Sequence, residues 1–141
     1  KIGFVFQSFH LIPRLTAAEN IEMPMVLSGL NPKERQEKVD NALARVNLTD
    51  RSDHRPEQLS GGQRQRVAIA RSIVMEPDVL LADEPTGNLD SYSSKEIIKL
   101  IEELNKGGLT LVVVTHDKEM GRRSDRLIEL LDGKIINDTK N

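Results

Sequence analysis

Leu59-Ser60-Gly61-Gly62-Gln63, taken with Val79-Leu80-Leu81-Ala82-Asp83-Glu84, sets the terms on which the rest of the chain is read. The first stretch is a glycine-rich turn, and Ser60-x-x-Gln63 fits the capping box that opens a helix. Bare backbone N–H groups beside the positive end of a helix dipole form an anion site. The second stretch is a short apolar strand ending in two carboxylates. A carboxylate pair at the exit of a buried strand can hold Mg²⁺ through one oxygen and a water through another. A phosphate site and a metal-bound water together point to nucleotide hydrolysis.

Outward from these stretches the pattern alternates. Val67, Ala70, Ile73 and Val74 recur on the inner face of the helix after Gln63 until Pro77 stops it. Residues 79–82 are the continuous apolar run expected of a central parallel strand. Asp90 or Ser91 starts another helix, with Ile97, Ile98, Ile101 and Leu104 on one face and Gly107-Gly108 past its end. Residues 109–114 read as a further strand, with His116 just beyond it, and Asp132-Gly133 signals a hairpin between residues 126–131 and 134–136.

Upstream, Ile2, Phe4 and Phe6 alternate with Val5 also apolar, which predicts a buried strand with Gln7 at its C-terminal end. Pro13 keeps the following loop from being helical. Thr16-x-x-Glu19 is a second capping box and predicts a helix running past Pro24 toward Gly29. Pro32 sits at the first turn of the next helix, with Val39, Leu43 and Val46 at helical spacing, and residues 47–58 read as polar loop. Strands alternating with helices predict a parallel sheet covered by helices, in which ligands collect at the carboxyl ends of strands. Gln7, Asp83-Glu84 and His116 all fall at such ends. His10, His54, the four methionines and Tyr92 occupy no such position and read as structural.

Composition narrows the function classes. The 141 residues suffice for one domain with a real core. Net charge is −2 and 30% of residues are charged with both signs interspersed, so nothing favours nucleic acid or a lipid surface as partner. There is no cysteine, hence no disulfide or thiolate metal site, and no apolar run approaches the length of a membrane span. The start at Lys1, without an initiator methionine, reads as a cut inside a longer sequence.

In this order, Gln7, Leu59 to Gln63, Val79 to Glu84, Asn88-Leu89-Asp90 and His116 resemble the motif set of ATP-binding cassette (ABC) ATPases. They would be the Q-loop, the signature motif, Walker B with its catalytic glutamate, the D-loop and the switch histidine. The likeness runs from Ile2 to about Asp138. Ile2 to Phe9, Leu11-Ile12-Pro13 and Glu19-Asn20 are most similar to the macrolide-export and lipoprotein-release branch. The resemblance implies a P-loop NTPase-type α/β fold with an inserted helical subdomain. Residues 1–10 and 77–141 would belong to the RecA-like core, and residues 11–76 to the helical subdomain with the signature helix.

It also implies roles. Glu84, His116 and Gln7 would be catalytic, Asp83 and Gln7 would hold Mg²⁺, and Ser60, Gly61, Gly62, Gln63 and Asp90 would contact ATP. Two cassettes would close head to tail over two ATP molecules, with Ser60 and Gly62 of one reaching the γ-phosphate bound by the other. Closure would drive membrane permease subunits, from a cytoplasmic position on the inner face of the membrane. A DNA-repair or translation-type ATPase of the same family is the weaker alternative, since residues 11–58 carry neither coiled-coil heptads nor a basic arm.

The chain also departs from the family pattern. No Gly-x-x-x-x-Gly-Lys-Ser/Thr occurs in it, so the P-loop strand and helix are absent and the sheet is expected to be incomplete. The chain is therefore expected to be inactive alone, with an open core face and an open sheet edge that favour self-association or pairing with a second polypeptide. The remaining alternative is a truncated, non-catalytic cassette that docks on or regulates another protein.

Overall fold

The computed structural model describes residues 1–141. Strands β1 (Ile2–Val5), β2 (Val79–Asp83) and β3 (Thr110–Val114) form a parallel sheet in the order β1-β2-β3. Val5 lies opposite Ala82, Ala82 opposite Val113, and Asp83 opposite Val114. Gln7, Glu84 and His116 therefore leave the sheet at one common edge, as the strand-end argument requires. The apolar run of β2 does occupy the centre.

Five helices accompany the sheet: α1 (Ala17–Leu27), α2 (Pro32–Arg45), α3 (Gly61–Ile73), α4 (Ser91–Lys106) and α5 (Lys118–Arg122). Their starts follow local chemistry. Thr16 and Glu19 close a capping box on α1, and Ser60 and Gln63 close one on α3. Asn31 caps α2 with Pro32 at its first position, and Asp90 caps α4. Pro24 lies inside α1. Residues 47–58 hold two short 3₁₀ turns, Thr49–Arg51 and Pro56–Gln58. The chain closes with an antiparallel hairpin, β4 (Arg126–Leu131) and β5 (Lys134–Lys140). Both turn residues are left-handed, Asp132 at φ 48° and Gly133 at φ 73°, as a two-residue turn demands.

A single core of 21 buried residues joins α1, α2, α3 and α4 to one face of the sheet. Its tightest approach is at Gly3, where a Cβ would lie 2.5 Å from the Ser72 carbonyl oxygen. Asn20, fully buried, accepts from the Ile12 N–H at 2.8 Å and donates to the carbonyls of Ile12, Leu15 and Thr16, so the loop before α1 is pinned to the helix.

Three sequence expectations need correction. β1 is buried on one face only: Val5 is 2% exposed but Phe4 is 52%. The helices cover one side of the sheet and leave Phe4, Phe6, Val112 and Val114 exposed, the open face expected of an incomplete sheet. On α4 the buried face is Ile97, Leu100, Ile101 and Leu104, since Leu100 completes the i, i+3, i+4, i+7 stripe and Ile98 falls at its rim. β5 runs on to Lys140 because Asp138, Thr139 and Lys140 pair with Ile128, Leu127 and Arg126. Helix α5, too short to show a period, was not visible in the sequence; Asp117 caps it by accepting from the Glu119 N–H at 2.8 Å. No helix is long and apolar enough to cross a membrane.

Candidate functional site

The site is assembled where the three parallel strands end. Glu84, the first residue past β2, has a φ of 45°, a left-handed conformation uncommon for any residue but glycine, and it precedes Pro85. Its N–H donates to the Val114 carbonyl at 2.8 Å and its carbonyl accepts from the Gly87 N–H at 3.0 Å, which fixes the kink. The kink turns the side chain toward the end of β3. There the carboxylate, 20% exposed, accepts from the Thr115 hydroxyl at 3.1 Å and the His116 N–H at 2.9 Å. His116 Nδ1 lies 2.7 Å from Glu84 Oε1. Against an ionised carboxylate this nitrogen carries the proton, leaving Nε2 of an 86% exposed ring available to another partner.

Gln7 reaches the same edge from β1. Its Nε2 donates to Asn88 Oδ1 at 3.2 Å, and Asn88 Nδ2 donates to the Gln7 carbonyl at 3.1 Å. Gly87 makes room for this exchange, since a Cβ there would sit 2.5 Å from Gln7 Nε2. Asp83 ends β2 with an exposed side chain. No group of three or more His, Cys, Asp or Glu side chains converges as a metal cage. A strand-end carboxylate is nevertheless a donor that Mg²⁺ accepts, because this ion keeps waters and phosphate oxygens in most of its shell.

The glycine turn at residues 59–63 lies on the other side of the loop that follows β2. Ser60 Oγ accepts from the Gln63 N–H at 3.2 Å, and Gln63 Oε1 accepts from the Ser60 N–H at 3.0 Å. A Cβ on Gly61 would meet the Leu89 side chain at 3.3 Å, and one on Gly62 would meet Ser93 Oγ at 3.0 Å. These glycines let the start of α3 sit against the start of α4. Asp90 is engaged there as the cap of α4, accepting from the Ser93 N–H at 2.8 Å and its hydroxyl at 2.9 Å. These bonds, the backbone one foremost, hold its carboxyl below the usual range. The structure thus brings Gln7, Asp83, Glu84 and His116 to one edge, and gives Ser60, Gln63 and Asp90 structural partners of their own.

Three contributors escaped the sequence reading. Thr115 holds Glu84, and only its neighbour His116 hinted at it, whereas Asn88, which holds Gln7, lies in the motif the sequence reading named. Gln65 donates from α3 to the Pro85 carbonyl at 2.6 Å. Arg71, whose pKa burial pushes down, donates to the carbonyls of Phe9 at 3.0 Å and His10 at 2.8 Å. Phe9 and His10 are both left-handed, at φ 61° and 49°, so Arg71 clamps a strained segment just past Gln7. A polar residue on the inner face of an otherwise apolar helix was the available signal for Gln65.

Residues 1–87 match the family model described as ABC transporter. The chain belongs to the ABC transporter family. It is 48% identical over 140 residues to the uncharacterized ABC transporter ATP-binding protein YvrO of Bacillus subtilis, covering 99% of this chain and 61% of that protein. It is 50% identical over 139 residues to the macrolide export ATP-binding/permease protein MacB of Burkholderia pseudomallei, covering 99% of this chain and 21% of that one. Among solved structures it is similar to a dimeric ATP-binding cassette in a post-hydrolysis state bound to ADP and Pi. The TM-score is 0.85 and the identity 45%, over 99% of this chain and 62% of the other. The chain therefore spans about three fifths of the length of an ATP-binding relative such as YvrO. Its three-stranded parallel sheet with helices is part of the ABC ATPase fold.

Proposed function

We propose that this chain is part of the ATP-hydrolysing subunit of an ABC transporter, in which hydrolysis at a cassette dimer interface drives membrane permease subunits. The observation that carries the reading is Glu84, held in a left-handed kink at a strand end with its carboxylate against Thr115 and His116. A carboxylate so held has one task it suits well, orienting and deprotonating a water beside a phosphate. His116 offers its second ring nitrogen to the same phosphate or water. Gln7 and Asp83 would hold Mg²⁺, which when bound supplies charge neutralisation at the phosphates.

Ser60, Gly61, Gly62, Gln63 and Asp90 would face nucleotide across a head-to-tail dimer. Gly62 is buried and Ser60 exposed at the start of α3, so a phosphate would meet the Ser60 hydroxyl and the first free N–H groups of a 13-residue helix. In this reading residues 1–10 and 77–141 form the RecA-like core and residues 11–76 the helical subdomain. The subunit would sit on the cytoplasmic face of the membrane through its permease.

The test is Glu84→Gln in the intact protein. Phosphate release from Mg-ATP is expected to fall by about 10²–10⁴-fold while nucleotide binding persists, because the isosteric amide keeps the shape and loses the base. Undiminished turnover would refute the assignment. Binding without turnover in the unsubstituted protein would favour a docking or regulatory cassette.

A further inference from the structure

Gln65 is fully buried, and with Asn20 it is one of two buried polar side chains in the core. It lies on the inner face of α3, five residues after Ser60. Its Nε2 donates to the Pro85 carbonyl at 2.6 Å and reaches the Phe6 carbonyl at 3.4 Å. Pro85 follows Glu84, and Phe6 precedes Gln7. One carboxamide on the signature helix thus touches the backbone beside the carboxylate and beside the Q-loop glutamine.

Two features argue that these bonds are more than packing. Gln65 Oε1 is buried with no hydrogen-bond partner. The amide therefore sits there with one acceptor unpaired, and what it supplies in return is the donor to the buried Pro85 carbonyl, which no other group satisfies. Turning the amide over would place its oxygen against two carbonyl oxygens, so its orientation is determined. The second feature is the strain it meets. Glu84 is left-handed and precedes a proline, a backbone state that persists only where the surroundings impose it. Val114 and Gly87 hold the near side of that kink, and Gln65 holds the far side through the Pro85 carbonyl.

We infer that Gln65 is a positioning residue that keeps Glu84 and Gln7 in a set relation to the signature helix, through one buried carboxamide. The inference rests on the reading of Glu84 as the hydrolytic base. A tilt of α3 would pull on both carbonyls at once, so the placement of the carboxylate follows the helix that carries Ser60 and Gly62. Loss of the donor would let the kink relax and displace the Glu84 carboxylate from the His116 ring.

The test uses Gln65→Met in the intact protein, with two measurements. In steady-state hydrolysis of Mg-ATP, kcat is expected to fall by about 10–100-fold with KM within about twofold, the pattern of a misplaced catalytic group rather than lost binding. In ¹⁵N NMR, the His116 imidazole signals are expected to move, since the ring reports directly on Glu84 Oε1. Wild-type kcat with unmoved His116 signals would overturn the proposal. Should the Met variant fail to fold, Gln65→Asn keeps a polar amide but withdraws it from Pro85. The same two losses are expected of it, and their absence would be equally fatal. If the unsubstituted protein turns over no ATP, the hydrolytic reading falls, and the NMR arm decides the role of Gln65 by itself.

Discussion

Gln7 and Asn88, 81 positions apart, exchange hydrogen bonds: Gln7 Nε2 donates to Asn88 Oδ1 at 3.2 Å, and Asn88 Nδ2 donates to the Gln7 backbone carbonyl at 3.1 Å. The exchange ties the end of β1 to the loop leaving β2, so the proposed metal ligand moves with the loop that carries Glu84 and Asp90. It survives only because residue 87 has no side chain.

Gly87→Ala should therefore separate activity from stability. The new methyl group would lie 2.5 Å from Gln7 Nε2, but that atom is the far end of a flexible side chain and can swing away. Stability is expected to stay within ~0.5 kcal/mol, as for surface substitutions generally. Turnover of Mg-ATP by the intact protein should fall by about tenfold or more, as a displaced positioning group costs. Parallel urea melts and phosphate-release assays check this. An unchanged rate would show that the Gln7–Asn88 exchange is not needed.

Gly3→Ala should do the opposite. There the obstacle is the backbone oxygen of Ser72, also 2.5 Å from the added carbon, with Leu80 and Pro77 close behind. Neither β1 nor α3 can yield without shifting the core, and a loss of about 1–3 kcal/mol is expected, the usual range for overpacking. A urea midpoint equal to wild type would contradict the packing described.

Acid should weaken the periphery of the fold before its core. The Arg123 guanidinium, bonded at 2.6 and 2.9 Å, holds the Glu102 carboxyl below its ordinary 4.5. The Arg126 guanidinium does the same for Asp138, and the hydrogen bonds from Ser93 for Asp90. Each carboxyl is depressed in the folded chain, so its contribution is present above the unfolded value and is lost as pH falls through the folded one. Thermal melts should be flat from neutrality to about pH 5 and decline below about pH 4. Glu102→Gln should remove part of that decline. A midpoint constant down to pH 3 would count against these pairs.

The bare face of the sheet should make the 141-residue chain associate when it is prepared by itself. Phe4, Phe6, Val112 and Val114 lie exposed there around an apolar hollow that Leu81 also lines. Contiguous apolar surface of this kind is seldom left open to water. Light scattering is expected to show mass rising with concentration, and Val114→Glu is expected to reduce it. A monomer at all concentrations would rule this out.

Much of this protein was legible in its residues. Both capping boxes, the Pro32 start of α2, the Asp132-Gly133 turn and the apolar run of β2 depend on neighbours within a few positions, so a linear reading finds them. The strand-end rule then placed Gln7, Asp83-Glu84 and His116 at one edge without coordinates. What tertiary structure alone decided is how those side chains are held. The left-handed kink at Glu84, its grip on Thr115 and His116, the Gln7–Asn88 exchange and the Gln65 bond to Pro85 join residues 20 to 81 positions apart. The one-sided burial of β1 belongs with them, because alternation in sequence cannot say which faces find a helix to cover them. Short-range chemistry determines elements and their ends. Hydrogen bonds between distant segments exist only once the strands lie side by side, and they set the geometry of the site.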